Sequence, residues 1–237
     1  MDFGKAFTFF YEDQQWLAKI AIGSLVVLLS PFLLMVPLLL LYGYEIAITR
    51  NVIKGVEHPL PAWEDWAGFF KDGAYLFLAK LVYALPLLLL MCISFGVFIL
   101  PAFSGGSEDL AAALAGTAFI IWLLLSCLLV LLGLAFAIIS PIINIQYVRT
   151  NDLSACFRFG EIWGMVRDNF GDLAMIVLGI ILANLIVSVV ASVSIITICG
   201  PFILSLAGPV WVRMISGHLT GQLARKVDGK APAMELS

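Results

Sequence analysis

Apolar residues run along this chain in long unbroken stretches, and polar residues gather between them. Six apolar segments stand out, near residues 18–34, 37–54, 73–101, 112–140, 172–195 and 202–222. None shows the period-2 alternation of a barrel strand, so the pattern predicts helices. A stretch of about 17–25 apolar residues is what a helix needs to cross a hydrocarbon core.

The polar intervals alternate in charge. Residues 1–17, 50–72, 149–170 and 223–237, with the helix ends beside them, hold every Lys and Arg, whereas the turns near 34–37, 101–111 and 195–202 hold none. Short loops rich in Lys and Arg stay on the cytoplasmic side. The chain therefore reads as an all-α membrane protein with six transmembrane helices and both termini cytoplasmic. A single kinked helix over 18–54 is the competing reading, and it would put Arg50 and Lys54 on the outer side, against this pattern.

Between the spans, several segments have their own periodicity. Phe3, Phe7 and Phe10 fall at i, i+4 and i+7 behind Asp2 as N-cap, which predicts a short amphipathic helix in the headgroup layer. Pro59 and Pro61 set an extended entry to EHPLPAWEDWAGFFKDG. Trp63, Trp66 and Phe70 then share one helical face, so this bridge is expected to lie along the inner leaflet with its rings at headgroup depth. Arg149, Trp163 and Arg167-Asp168 echo Arg50, Trp66 and Lys71-Asp72. That echo suggests an internal duplication, with weak parallel repeats about 37–101 and 125–195 inside one domain over 1–226. Breaks or kinks are expected at Pro141 and at Gly208-Pro209, and residues 227–237 read as a short cytoplasmic tail.

Composition narrows the class further. Of 237 residues, 62% are hydrophobic and 12% charged, against roughly 45–50% and about 25% in a soluble domain. The formal charge is 13 − 16 = −3, and only Glu108 and Asp109 fall on the outer side, so the inner face nets 13 − 14 = −1. That balance excludes a nucleic-acid surface and a polybasic lipid switch. Cys92, Cys127, Cys156 and Cys199 lack metal-ligand spacing and outer-face pairing, so they read as small apolar filler. Acidic residues precede the first apolar run and no cleavage pattern follows it, so an uncleaved first helix is expected.

Ionisable groups inside a span are the natural candidates for chemistry. Glu45 stands five residues before Arg50 and Lys80 eight after Asp72, depths of roughly 8 and 12 Å at about 1.5 Å per residue. A Glu45–Lys80 ion pair fits these depths, and Asn144 and Arg213 reach similar ones. The four form either a polar pocket open to the cytoplasm or a structural joint between helices. The outer half offers a thin lining of Ser94, Thr117, Ser126, Ser192, Ser194 and Thr197. Asn184 is expected to bond to a neighbouring helix, and Gly217 with Gly221 to form a close packing face. Trp63, Trp66, Phe70 and Trp163 are interfacial anchors or the edge of a partner site. His58 and His218 have no companion ligands, so no metal is expected. No nucleophile elbow, phosphate loop or carboxylate pair is present, and the chain is read as no enzyme and as needing no cofactor.

At GYEIAITRNVIKG and LPAWEDWAGFFKDGAYLFLAKLVYALP the chain resembles a family of prokaryotic integral membrane proteins, the domain of unknown function 4013 type. The residues that carry the resemblance are Gly43-Tyr44, Arg50, Gly55, Leu60-Pro61, Trp63, Asp65-Trp66, Asp72-Gly73 and Tyr83 with Pro86. His218, Gly221 and Gln222 in SGHLTGQLARK continue it; it covers about 15–226, with almost none over 102–145. It implies a six-helix protein of the prokaryotic cytoplasmic (inner) membrane, and it carries over neither an activity nor catalytic residues. The expected role is a structural or accessory subunit of a membrane complex, its partners being membrane lipids and other membrane subunits or a second copy. The alternative is a small carrier or channel for a solute or lipid that uses the Glu45, Lys80, Asn144 and Arg213 pocket.

Overall fold

The computed structural model describes residues 2–103, 108–194 and 199–230. Among these residues it is helical and contains no strand. Eight α-helices follow in order: α1 Phe3–Thr8, α2 Trp16–Leu29, α3 Leu38–Ile53, α4 Trp66–Phe98, α5 Glu108–Thr150, α6 Phe159–Asp168, α7 Phe170–Val193 and α8 Cys199–Lys230. Four segments are long and apolar enough to cross a membrane: Trp66–Ala102, Glu108–Thr150, Phe170–Val193 and Cys199–Gly229. The other two apolar segments form shorter helices, α2 of 14 residues and α3 of 16. At about 1.5 Å per residue these reach roughly 21 and 24 Å.

Two compact units make up the chain, Met1–Ala79 with Ser140–Ser237, and Lys80–Ile139. In the first, α8 is the central column against which α1, α2, α3 and α7 pack. Small residues permit close approach to this column. A Cβ on Gly217 would stand 2.8 Å from Glu45 O, and one on Gly221 2.6 Å from Val52 Cβ. The spacing read as a packing face is thus where α8 crosses α3. The apolar core beside this crossing joins Phe9, Phe10, Tyr44, Trp63, Phe69 and Met214.

The second unit consists of the outer parts of α4 and α5. Their apolar side chains, including Phe95, Phe98, Phe119 and Leu131, are exposed. In the most apolar stretches of these two segments only 6% and 0% of residues are buried within the protein.

Helix α5 runs without a break through Pro141 and α8 through Pro209, although proline removes one backbone donor from a helix. Other local expectations are met in part. The aromatic bridge near 63–70 is no separate helix. Asp65 caps the first turn of α4 by accepting from Gly68 N at 2.8 Å, so the helix starts at Trp66, after Trp63. The later bridge does form its own amphipathic helix, α6, with Ile162 and Val166 buried. Helix α8 runs to Lys230, through the first residues of the expected tail. Residues 231–237 and Thr197 lie outside the described residues.

Candidate functional site

Three of the four ionisable or amide residues read as a pocket meet in one place. Glu45, on α3, is 1% exposed. Its Oε1 accepts from Ser216 Oγ at 2.6 Å and from Asn144 Nδ2 at 3.0 Å, and its Oε2 accepts from Arg213 Nη1 at 2.9 Å. Arg213 and Ser216 are i, i+3 on α8, so one helical face presents both. The guanidinium also lies 4.0 Å from the centre of the Tyr42 ring, within cation–π range. One turn below, Thr49 Oγ1 lies within bonding distance of Glu45 O at 2.9 Å and Gly217 O at 3.1 Å, and its single proton serves one of them at a time. A single carboxylate thus ties α3, α5 and α8 together. The Asn144 carbonyl oxygen is buried and accepts no hydrogen bond from any described residue. Lys80 is buried and opens the second unit.

A second polar cluster closes the nearby helix ends. Arg50 pairs with Asp72 and donates to Asn151 Oδ1 at 2.6 Å, while Tyr147 OH donates to Asp72 Oδ1 at 2.7 Å. Asn151 adopts φ 52° just past α5, the left-handed position that asparagine tolerates better than most residues. The proposed duplicate of this cluster is wired differently, because Arg149 pairs with Asp228 of α8.

The aromatic candidates separate by depth. Trp63 is buried at 7% exposure and stacks on Tyr44 at 4.4 Å with ring planes 8° apart. Its Nε1 donates to Lys19 O at 3.0 Å, which satisfies the one polar group of a buried indole. Trp66, Phe70 and Trp163 remain exposed. Lys19 is itself buried, donating to Asp13 Oδ2 at 2.6 Å and Leu60 O at 2.8 Å. Burial raises the Asp13 pKa, but the Lys19 hydrogen bond, the Gln15 backbone bond and the Lys19 charge outweigh it, holding the carboxyl below its ordinary range.

Elsewhere several polar groups of the spans bond locally, while the buried Ser94 and Thr220 hydroxyls have no partner among the described residues. Asn184 donates to Ile180 O at 2.8 Å in its own helix rather than across to a neighbour. Thr117, Ser126, Ser192 and Ser194 each donate to the carbonyl four residues earlier. Sequence reasoning missed Ser216, Tyr147, Asp72 and Lys19 as members of these clusters. The one usable signal was spacing, since Ser216 shares a helical face with Arg213.

No curated protein and no solved structure matches this chain. A family model does, over residues 25–200. That stretch holds the Gly43-Tyr44, Arg50 and Leu60–Trp66 features together with Glu45, Asp72 and Asn144, and the chain belongs to the membrane-helical family described as "Protein of unknown function (DUF4013)".

Proposed function

We propose that the protein is a non-catalytic structural or accessory subunit of a membrane complex, seated in a prokaryotic cytoplasmic membrane. Six helical passes with both termini cytoplasmic complete the reading, α2 and α3 serving as a short paired hairpin. The charge alternation along the chain supports this topology, and the paired Arg50 and Arg149 segments support descent from a duplication. The observation that carries the role is the exposure of the second unit. Two long apolar segments bury 6% and 0% of their most apolar stretches inside the protein, which leaves their flanks for lipid or for another subunit's helices. On the expected outer side the hydroxyls of Thr117, Ser126, Ser192 and Ser194 bond their own helices, which leaves a solute a sparse lining there; the buried Ser94 hydroxyl has no partner among the described residues. A carrier is the second reading, favoured by the Asn144 oxygen, which is buried beside Glu45 with no donor.

The test is isolation from the native membrane in mild detergent, with a photo-crosslinking residue at Phe95 or Leu131. A subunit crosslinked at one-to-one stoichiometry supports the accessory role. A lone protein that carries a bound solute, released on Asn144→Leu substitution, overturns it. Topology is read separately: a cysteine at Ser107 should label from outside and one at Glu64 only after permeabilisation, and the reverse order would sink the orientation.

A further inference from the structure

A second cavity, of about 390 Å³, opens at the opposite end of α8 from its apolar start and does not include the Glu45 joint. Arg225, in its lining, is twelve residues beyond Arg213, about 18 Å along the helix at 1.5 Å per residue. Three pieces of chain build it: the N-terminus with α1, the Gly55–Pro59 loop after α3, and the last turns of α8. Val52 and Pro59 give it a buried apolar floor.

Its edge is held in place. The Gln222 side-chain amide clamps the Asp2 backbone from both sides, Oε1 accepting from Asp2 N at 2.6 Å and Nε2 donating to Asp2 O at 2.9 Å. Asp2 in turn caps α1 by accepting from Lys5 N at 2.9 Å. Lys226 is committed to Asp172 at 2.7 Å. Three charged heads in the lining, those of Lys5, Arg225 and Glu57, make no ion pair or side-chain hydrogen bond with any described residue. Two uncommitted cations and one uncommitted carboxylate therefore converge on a preorganised cavity at the polar end of α8, which the proposed topology sets at the headgroups of the cytoplasmic leaflet. Basic pockets between helices on the cytoplasmic side suit lipid phosphates, and arginine suits them by its fork of donors. The carboxylate adds a place for an ammonium.

We propose that this cleft binds the headgroup of a zwitterionic aminophospholipid, with the phosphate diester on Lys5 and Arg225 and the ammonium on Glu57. The site stands independently of whether the chain is an accessory subunit. The test uses the full-length protein in detergent, with calorimetric titration of dihexanoyl phosphatidylethanolamine, dihexanoyl phosphatidylglycerol and water-soluble phosphoethanolamine. The amino lipid is expected to bind most tightly. Lys5→Gln with Arg225→Gln should weaken it by about tenfold or more, the loss of charge-assisted bonds, without moving the melting temperature of the unliganded protein, because neither side chain bonds to any described residue. Glu57→Gln should remove the preference over phosphatidylglycerol. Undiminished binding by the double variant overturns the site. Phosphoethanolamine binding as tightly as the lipid overturns the lipid assignment in favour of a free phosphate solute, and equal binding of both lipids by the unsubstituted protein overturns the role of Glu57.

Discussion

Replacing Arg213 with Met should be the most damaging conservative change in the first unit. The substitution takes from Glu45, which is 1% exposed, the guanidinium that pairs with its Oε2, while the bonds from Ser216 and Asn144 stay in place. Breaking a buried pair by removing one partner costs about 3–5 kcal/mol, because the remaining charge stays desolvated. If the bonds to Glu45 were only ordinary interhelical bonds of a membrane protein, at about 0.6 kcal/mol each, the loss would stay near 1 kcal/mol. The two cases separate in a melt. At about 2–4 °C per kcal/mol for a chain of this size, the charge-stranding case lowers the melting temperature by roughly 6–20 °C and the ordinary-bond case by about 4 °C at most. The assay is loss of the monodisperse peak on size exclusion after heating in detergent. Glu45→Gln combined with Arg213→Met removes both charges and keeps the shape, so it should recover most of the loss, as neutral replacements of buried pairs do. A double variant as unstable as the sum of its single changes would refute the claim that loss of the cation beside the Glu45 carboxylate is what destabilises Arg213→Met.

Two further perturbations follow from the same unit. Gly217→Val puts side-chain atoms where even a Cβ stands 2.8 Å from Glu45 O; it should lower the melting temperature by several degrees, whereas Gly229→Val, with open space around it, should leave it unchanged. Asp13 has a folded-state pKa below its ordinary 3.8, so its contribution is complete above the unfolded value and is lost as pH falls through the folded one. Melts between pH 6 and pH 3 should therefore show Asp13→Asn starting lower and losing less stability on acidification than the unsubstituted chain; parallel pH profiles would exclude the Lys19 pairing as a stabilising contact.

What could be read from the residues alone depended on how unusual each was in its setting. Glu45, Arg213 and Asn144 stand out because charges and amides are rare inside apolar runs, and the structure gathers them. Asp72, Tyr147 and Lys19 lie near helix ends, where polar residues are ordinary, so nothing in their spacing marks the bonds they make. Trp63 shows how a ring read as an interfacial anchor can be packed inside the protein. An interfacial tryptophan and a core tryptophan look alike in sequence, and what buries this one is Tyr44 stacked on its face and the Lys19 carbonyl 44 residues away. Asn184 shows the converse: it is exposed, and its amide donates to a carbonyl one turn back in its own helix.

The α2–α3 segment shows why the expected sidedness is sturdier than the expected number of spans. Charge patterning reports where a segment's ends lie, while length decides whether it crosses. Helices of 14 and 16 residues fall short of the roughly 30 Å hydrocarbon core, yet the turn between them is as apolar as the helices. From Pro31 to Pro37 every residue is apolar, and Phe32 and Leu34 are 79% and 89% exposed. A turn in water would carry polar residues, so this one suits hydrocarbon or its edge. A hairpin whose tip stops within the bilayer and one that reaches the far face both return the chain to the side it left. Asp13, Lys19, Arg50 and Lys54 therefore stay together in either case, and the direction of every later helix is unchanged.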